Sequence, residues 1–211
     1  MKKAQGAMLV ALAVSLGVLT GCGADDPGPA ATVASPVPAE TTDEVSEPTP
    51  TPTPTEDDIY GPTETNARGN SVKAIGQLAG LHSQADIPLV QFTVTGITPN
   101  FTCTSEFASP PANGNFIAVD VDITTTPELA NEVDAAFSIS GYDFKVISSD
   151  GTTENDSQGN GYLCLERSEM LAGSFGPAEH ATGKIVLDSA HTSGSLVLTI
   201  GGGATGWEWA F

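Results

Sequence analysis

The amino-acid sequence predicts an all-β protein, an antiparallel β-sandwich that follows a disordered linker. Apolar and polar residues alternate along several short segments between position 68 and the C-terminus. Asp-Gly and Gly-rich turns separate these segments, and only one short stretch has the features of a helix. Alternation with a period of two gives a strand one face for the core and one face for water, which is typical of antiparallel sheets.

The N-terminus carries an export signal. Lys2 and Lys3 precede an apolar stretch from Met8 to Leu19, which has the length of a signal-peptide core and is too short to span a bilayer stably. The next residues, Leu19-Thr20-Gly21-Cys22, resemble the lipobox of bacterial lipoproteins. We predict that residues 1–21 are a signal peptide and that acyl chains such as palmitate on Cys22 anchor the protein to the extracytoplasmic face of the cell membrane. The alternative is an ordinary secretory signal with a chance cysteine.

Residues 22–67 are predicted to form a disordered tether. The segment is rich in Pro, Thr and Ala, it has ten acidic residues and no basic one before position 67, and Pro and Thr alternate through residues 48–55. Such a composition cannot bury enough apolar surface to offset the entropy lost on ordering, and the prolines favour an extended chain. A proline-rich ligand for a binding domain is the alternative interpretation.

Residues 68–211 are long enough for one domain with its own core. Val90, Phe92 and Val94 share one face of a predicted strand. In the next strand the apolar face is formed by Ile117, Val119, Val121 and Ile123, and the polar face by Asp120 and Asp122. The same alternation recurs in residues 137–140, 143–146, 184–188 and 195–200.

Turn and helix signals lie between the predicted strands. Ser149-Asp150-Gly151-Thr152 predicts a hairpin turn, because glycine tolerates the positive φ that tight turns need. Thr126 and Pro127 predict the start of a short helix that ends near Val133. About seven evenly spaced strands favour an immunoglobulin-like topology, with a small closed barrel as the alternative.

The last predicted strand is aromatic. Trp207, Trp209 and Phe211 occupy alternate positions, so a strand points all three to one face. We expect this face to lie in the core, and an exposed binding patch is the alternative.

A family resemblance is carried by segments that match in chain order. They are Asn115–Val121, Phe144–Gly151, Leu171–Gly173 followed by Thr182–Asp188, and Leu196–Leu198 followed by Trp207–Trp209. They resemble a family of bacterial immunoglobulin-like domains of unknown function, the telomeric-repeat-binding-factor-like or mycobacterial immunogenic protein-like family. The resemblance covers the chain from Ser71 and implies a lipoprotein or secreted surface protein of a Gram-positive bacterium. It implies no catalytic residues, since none is established for the family.

Cys103 and Cys164 are left once Cys22 is assigned to lipid. An even pair of cysteines in an exported chain predicts a disulfide, although free thiols and a metal site are alternatives. A bridge that closes a loop of about 60 residues could contribute roughly 4 kcal/mol to stability.

The charge of the chain limits its partners. There are 26 acidic and seven basic residues, a formal net charge of −19, and two of the basic residues belong to the predicted signal peptide. Nucleic-acid binding needs a basic surface, so we predict that this protein does not bind nucleic acid. Cationic partners and metal ions are compatible with the charge.

The loop of residues 150–160 is the candidate metal site. Asp150, Glu154 and Asp156 offer the carboxylate oxygens that calcium prefers, although turn-forming residues explain the same composition without a metal. No other cofactor is predicted.

Catalysis is not predicted. The sequence lacks the GxSxG, HExxH and Walker A motifs, and His82, His180 and His191 are expected in exposed loops. Asp120 and Asp122 suit a solvated sheet face better than acid–base chemistry. We therefore predict a non-enzymatic module that binds an unknown cell-envelope or extracellular protein. A metal-binding surface module and an exported enzyme with an unrecognised site are the alternatives.

Overall fold

The computed structural model describes residues 55, 59–62 and 65–211. The predicted signal peptide, Cys22 and most of the predicted tether lie outside the described residues. No helix among the described residues is both long and apolar enough to cross a membrane. The strands are β1 (Ser71–Val72), β2 (Leu78–His82), β3 (Pro88–Pro99), β4 (Asn115–Thr125), β5 (Phe137–Ser138), β6 (Phe144–Ser148), β7 (Ser174–Phe175), β8 (His180–Ser189), β9 (Gly194–Leu198) and β10 (Trp207–Ala210). Short 3-10 helices span Pro127–Asn131, Gly141–Asp143 and Gly161–Leu163.

The strands form a β-sandwich. One sheet has the order β1-β10-β9-β6, the other has the order β2-β3-β4-β8, and β5 pairs with β7 in a small third sheet. The chain leaves the second sheet after β4, returns to it at β8 and leaves it again for β9, which is the Greek-key pattern of immunoglobulin-like domains. The pairings are antiparallel except between β1 and β10. The predicted all-β, immunoglobulin-like sandwich is therefore confirmed, and the alternative of a closed barrel is not observed.

The core lies between the two large sheets. The predicted apolar faces of β3 and β4 are buried as expected, and these side chains are at most 2% exposed: Val90, Phe92, Val94, Ile117, Val119, Val121 and Ile123. Trp209 of β10 is fully buried, whereas Trp207 and Phe211 are partly buried against the same core. Trp207 also meets Phe92 edge to face, with 5.0 Å between ring centroids. The C-terminal aromatics thus belong to the core.

A second apolar cluster covers the outer face of β4 and β8. Phe116, Ala118 and Val186 point away from the main core, yet they are buried beneath Cys164 and Leu165. The predicted disulfide between Cys103 and Cys164 is present, and its Cα atoms are 4.6 Å apart. The bridge fastens the loop before β4 to the loop before β7, so both loops lie on the outer face of this sheet.

Two local predictions have different outcomes. The turn at 149–152 is confirmed, since Gly151 has a φ of 90° and its amide donates to the Ser148 carbonyl at 2.9 Å. The helix after Thr126 is shorter than predicted, because it is a 3-10 helix that ends at Asn131. The Thr126 hydroxyl does not cap this helix; it donates to the Pro88 carbonyl at 2.7 Å.

Glu208 of β10 is a buried carboxylate that joins the two ends of the domain. Its side chain accepts hydrogen bonds from Asn66 at 2.7 Å, from Asn70 at 2.9 Å and from both Nε and Nη2 of Arg68. Burial by itself raises the pKa of Glu208, but the hydrogen bonds from Arg68, Asn70, Asn66 and Ser195 outweigh it and lower the pKa from 4.5 to about 2. The charged form of Glu208 therefore stabilises the fold.

We expect Glu208 to make the domain sensitive to acid. A carboxyl group whose pKa is lowered by folding contributes stability above pH 4.5, and this contribution disappears as the pH falls to about 2. Between pH 5 and pH 2, the free energy of unfolding of the wild type, measured with urea, should fall by about 2–3 kcal/mol more than that of Glu208→Gln. The lower end of this range allows for screening by water, because Arg68 is half-exposed. If the free energy of unfolding falls equally in both proteins, Glu208 is not the source of the acid sensitivity.

Candidate functional site

Four exposed side chains form a patch on the outer surface, which we call the aromatic platform: Phe107, Tyr142, Tyr162 and Met170. Their exposed fractions are 76%, 82%, 58% and 42%. Tyr142, Tyr162 and Met170 border a cavity of about 260 Å³, and Phe107 borders an adjoining depression that also includes Tyr162 and Met170. Solvent-exposed clusters of large apolar and aromatic side chains are typical of interaction surfaces.

Two Gly-Tyr turns place the tyrosines on this surface. Each of the 3-10 helices Gly141–Asp143 and Gly161–Leu163 begins with glycine followed by tyrosine. A Cβ at Gly161 would overlap the carbonyl oxygen of Val186, so glycine lets this turn lie directly on β8. The first turn has a capping box, in which the Ser140 amide donates to the Asp143 carboxylate at 2.7 Å. Both turns are therefore fixed while their tyrosine side chains point outward.

The disulfide and main-chain hydrogen bonds hold the platform loops together. The carbonyl of Cys164 accepts from the amides of Thr104 at 2.9 Å and Ser105 at 3.1 Å. The Thr104 hydroxyl in turn donates to the Glu169 carboxylate and accepts from the Glu166 amide. The loop that carries Phe107 is thereby attached to the segment that carries Tyr162 and Met170.

Asp188, near the end of β8, is hydrogen-bonded to the main chain of the same loops. Its carboxylate is fully buried and accepts from the amides of Ala112 at 2.6 Å, Asn113 at 2.9 Å and Asn160 at 2.9 Å. Three main-chain donors satisfy a buried carboxylate without a counter-ion. Because its acceptor sites are used in this way, Asp188 acts as a structural link between two loops.

The cavity beneath the platform is mostly apolar. Its walls are formed by Ile139, Leu165, Leu171, Ile185 and Val186, and the polar side chains at its margin are Ser140, Gln158 and Lys184. A cavity of roughly 150 Å³ is enough for a benzene ring, so about 260 Å³ accommodates an aromatic side chain. The shape and lining suit the side chain of a partner rather than a charged small molecule.

A charged groove, which we call the carboxylate groove, adjoins this cavity. It has a volume of about 300 Å³, and its charged side chains are Asp120, Asp122, Glu169 and Lys184. Lys184 Nζ lies 2.5 Å from Asp120 Oδ1, and it also lines the apolar cavity. Asp120 and Asp122 are 31% and 44% exposed, which agrees with the predicted solvated sheet face. Carboxylates therefore outnumber ammonium groups in the groove.

The predicted calcium ligands do not come together. The Asp150 carboxylate accepts from the Ser148 hydroxyl and the Thr152 amide, which lower its pKa to about 2. Glu154 Oε1 accepts from the Ala190 amide at 2.7 Å, and Asp156 Oδ1 accepts from the Gly159 amide at 3.1 Å. Within residues 55, 59–62 and 65–211, no three His, Cys, Asp or Glu side chains are arranged to hold a metal. The three carboxylates instead make separate contacts, Asp150 and Asp156 within their own turns and Glu154 with the residue that follows β8.

Neither the histidines at the strand ends nor a glycine-rich segment forms a recognisable site. His82 and His180 are exposed, but they lie at the ends of β2 and β8 rather than in loops, and His180 Nε2 is 3.1 Å from Asp122 Oδ1. Residues 201–206 have the glycine spacing GxGxxG, which dinucleotide-binding proteins use between a strand and a helix. Here the motif joins two antiparallel strands, β9 and β10, so it lacks the helix that such a site requires.

Sequence reasoning did not find the aromatic platform. Phe107, Tyr142 and Tyr162 are far apart in the sequence and lie in no alternating segment. The one available signal was the repeated Gly-Tyr pair at 141–142 and 161–162.

Comparison with known proteins gives distant structural similarities. No family model matches the chain. No curated protein matches it either. A secreted protein from Mycobacterium tuberculosis, MPT63, is similar over 67% of this chain and 98% of its own, with 13% identity and a TM-score of 0.45. A candidate lipoprotein from Bacillus subtilis, YcdA, is similar over 53% of this chain and 31% of its own, with 15% identity and a TM-score of 0.34. Similarities at this level do not establish a function.

Proposed function

We propose that this chain is a lipid-anchored, extracytoplasmic module, not an enzyme, which binds a protein partner through the aromatic platform. The observation that carries the proposal is the exposure of Tyr142, Tyr162 and Met170 around one apolar cavity, with Phe107 at the adjoining depression. Aromatic residues and methionine are enriched where proteins meet, and tyrosine is among the side chains that contribute most to binding.

The anchoring of the platform supports the same proposal. A surface that is already ordered loses less conformational entropy on binding than a mobile loop does. The disulfide, the Asp188 carboxylate and the Gly-Tyr turns fix the platform loops before any partner arrives. Lipid on Cys22 would hold this surface at the membrane, where it meets other envelope or extracellular proteins.

Site-specific photocross-linking in living cells tests the platform. With a photoreactive phenylalanine analogue at Tyr162, we expect one or a few discrete adducts to proteins of the cell envelope. The matched control is the same analogue at Val133, which is fully exposed and borders neither the cavity nor the depression beside Phe107. Adducts of equal yield and identity at both positions, or none at Tyr162, would contradict the proposal.

The anchor has its own test. Cys22→Ala removes the thiol that accepts the diacylglyceryl group, so we expect the protein to lose palmitate labelling and to be found uncleaved or in the medium. Val133→Ala is the control, because it changes a fully exposed residue and leaves both the lipobox and the disulfide intact. Normal processing and palmitate labelling of the Cys22→Ala protein would show that the anchor is elsewhere.

A further inference from the structure

We infer that the partner binds through a cationic segment, which inserts an aromatic side chain into the cavity beneath the platform and places a Lys or Arg in the carboxylate groove. The inference rests on the proposed function of the platform and names the chemistry of its partner. It depends on the adjacency of the two depressions, on their different linings and on the sign of the charge around them.

The two depressions are neighbours because one short segment separates them. Met170 pairs with Lys184 in a parallel bridge, the Leu171 amide donates to the Lys184 carbonyl at 3.0 Å, and the Lys184 amide donates to the Glu169 carbonyl at 2.8 Å. Glu169 therefore faces the carboxylate groove, Met170 and Leu171 face the apolar cavity, and Lys184 lines both. A peptide that crosses this segment meets an apolar and a charged surface within a few residues.

The apolar cavity selects an aromatic side chain. Its volume exceeds that of a phenyl ring, its walls are aliphatic, and Tyr142 and Tyr162 stand at its margin. Tyrosine rings can pack edge to face against an inserted ring, which adds to the gain from burying apolar area. A small side chain would fill less of this space, and an aliphatic one could not pack edge to face with the tyrosines.

The groove selects a positive charge. Lys184 is paired with Asp120, and the groove lining contains no second ammonium or guanidinium group, so the carboxylates of Asp122 and Glu169 are in excess there. A Lys or Arg of the partner would complement these two carboxylates. An acidic peptide or an anionic lipid surface would meet like charge on a chain with 26 acidic residues.

Peptide binding to the full chain tests the inference. We would reconstitute the protein in nanodiscs of phosphatidylcholine, a lipid without net charge, with empty nanodiscs as the blank. Fluorescence anisotropy would be measured with Gly-Ser peptides that contain one Phe and one Arg, spaced by one to three residues. We expect at least one Phe–Arg peptide to bind. Replacing its Phe by Ala should weaken binding about tenfold, and replacing its Arg by Gln should weaken it roughly threefold.

Two variants of the protein locate the two contacts. Gly173 lines the cavity, and a Cβ there would meet no atom outside its chain neighbours closer than the Ile139 carbonyl oxygen at 4.0 Å. We therefore expect the Cβ of Gly173→Leu to fit and the rest of its side chain to occupy cavity space. This variant should weaken binding at least tenfold, whereas Gly173→Ala should change it little. Asp122→Asn should weaken the Phe–Arg peptide about threefold but not the Phe–Gln peptide. Glu128→Gln removes the same charge from an exposed position outside the groove and should have no effect.

The outcomes separate this inference from the proposed function. Undiminished binding to the folded Gly173→Leu protein, or no binding of any Phe–Arg peptide at millimolar concentration, overturns the inference. If Tyr162 still cross-links a partner in cells, the proposed function stands while the chemistry assigned to the partner is wrong. If position 162 gives no cross-link and the peptides do not bind, both are wrong.

Discussion

Trp209→Ala should lower the free energy of unfolding by about 3–5 kcal/mol. Trp209 is fully buried in the main core, and its removal leaves a large cavity that the surrounding strands cannot close. A domain of this size has only about 5–15 kcal/mol of net stability, so the variant should unfold at much lower urea concentration or fail to fold. Circular dichroism during urea unfolding measures the change.

Two matched variants make this prediction specific. Trp209→Phe keeps one aromatic ring in the core and so leaves a smaller cavity than alanine does, and the indole Nε1 that it removes has no hydrogen-bond partner among the described residues, so its cost should be clearly smaller. Phe211→Ala should also cost less, because Phe211 is only partly buried at the edge of the core. If Trp209→Ala unfolds at the same urea concentration as the wild type, the C-terminal aromatics are not part of the core.

Removal of the disulfide is the second change with a large expected effect. The Cys103–Cys164 bridge closes a loop with a sequence separation of 61, and the chain-entropy model gives a loss of about 4 kcal/mol when such a loop is opened. The double variant Cys103→Ala, Cys164→Ala should therefore unfold at lower urea concentration than the oxidised wild type. It should also lose the cross-link from Tyr162, since the platform loops are no longer fastened together.

The reduced wild-type protein is the control for this variant. Dithiothreitol should shift its unfolding midpoint toward that of the double variant and should leave the double variant itself unchanged. If oxidised, reduced and variant proteins unfold together, the bridge does not contribute to stability, and the loops depend on their hydrogen bonds and the second apolar cluster alone.

The main core could be predicted from the sequence because it depends on local periodicity. Alternation in β3 and β4 determines which side chains face inward, and a one-residue shift in register would expose all of them. The disulfide and the Asp-Gly turn were also predictable, the first from an even cysteine pair and the second from the backbone freedom of Gly151.

The remaining features depend on contacts between distant parts of the chain. Glu208 alternates with core residues as a solvent-facing side chain would, but Arg68, about 140 residues away in sequence, covers it. Phe116 and Val186 also lie on a face that periodicity assigns to water, and the disulfide-bonded loops bury them. The aromatic platform also depends on such contacts, because the loops that carry Phe107, Tyr162 and Met170 come close to Tyr142 only when they fold onto β8. A single sequence has no local signal for such contacts.

The pairing of β1 with β10 determines how a pulling force would pass through the molecule. A force on the chain ahead of Thr65 reaches the sandwich at Asn66–Asn70 and then runs along β1, parallel to β10. Pulling along paired strands loads their hydrogen bonds together, so the Glu208 contacts and the β1–β10 bonds share the tension. The load passes to β10, the strand that carries Trp209, and does not enter through the loops of the platform. If a partner held the platform, a force on the preceding chain would therefore pass through the core before it reached the platform loops.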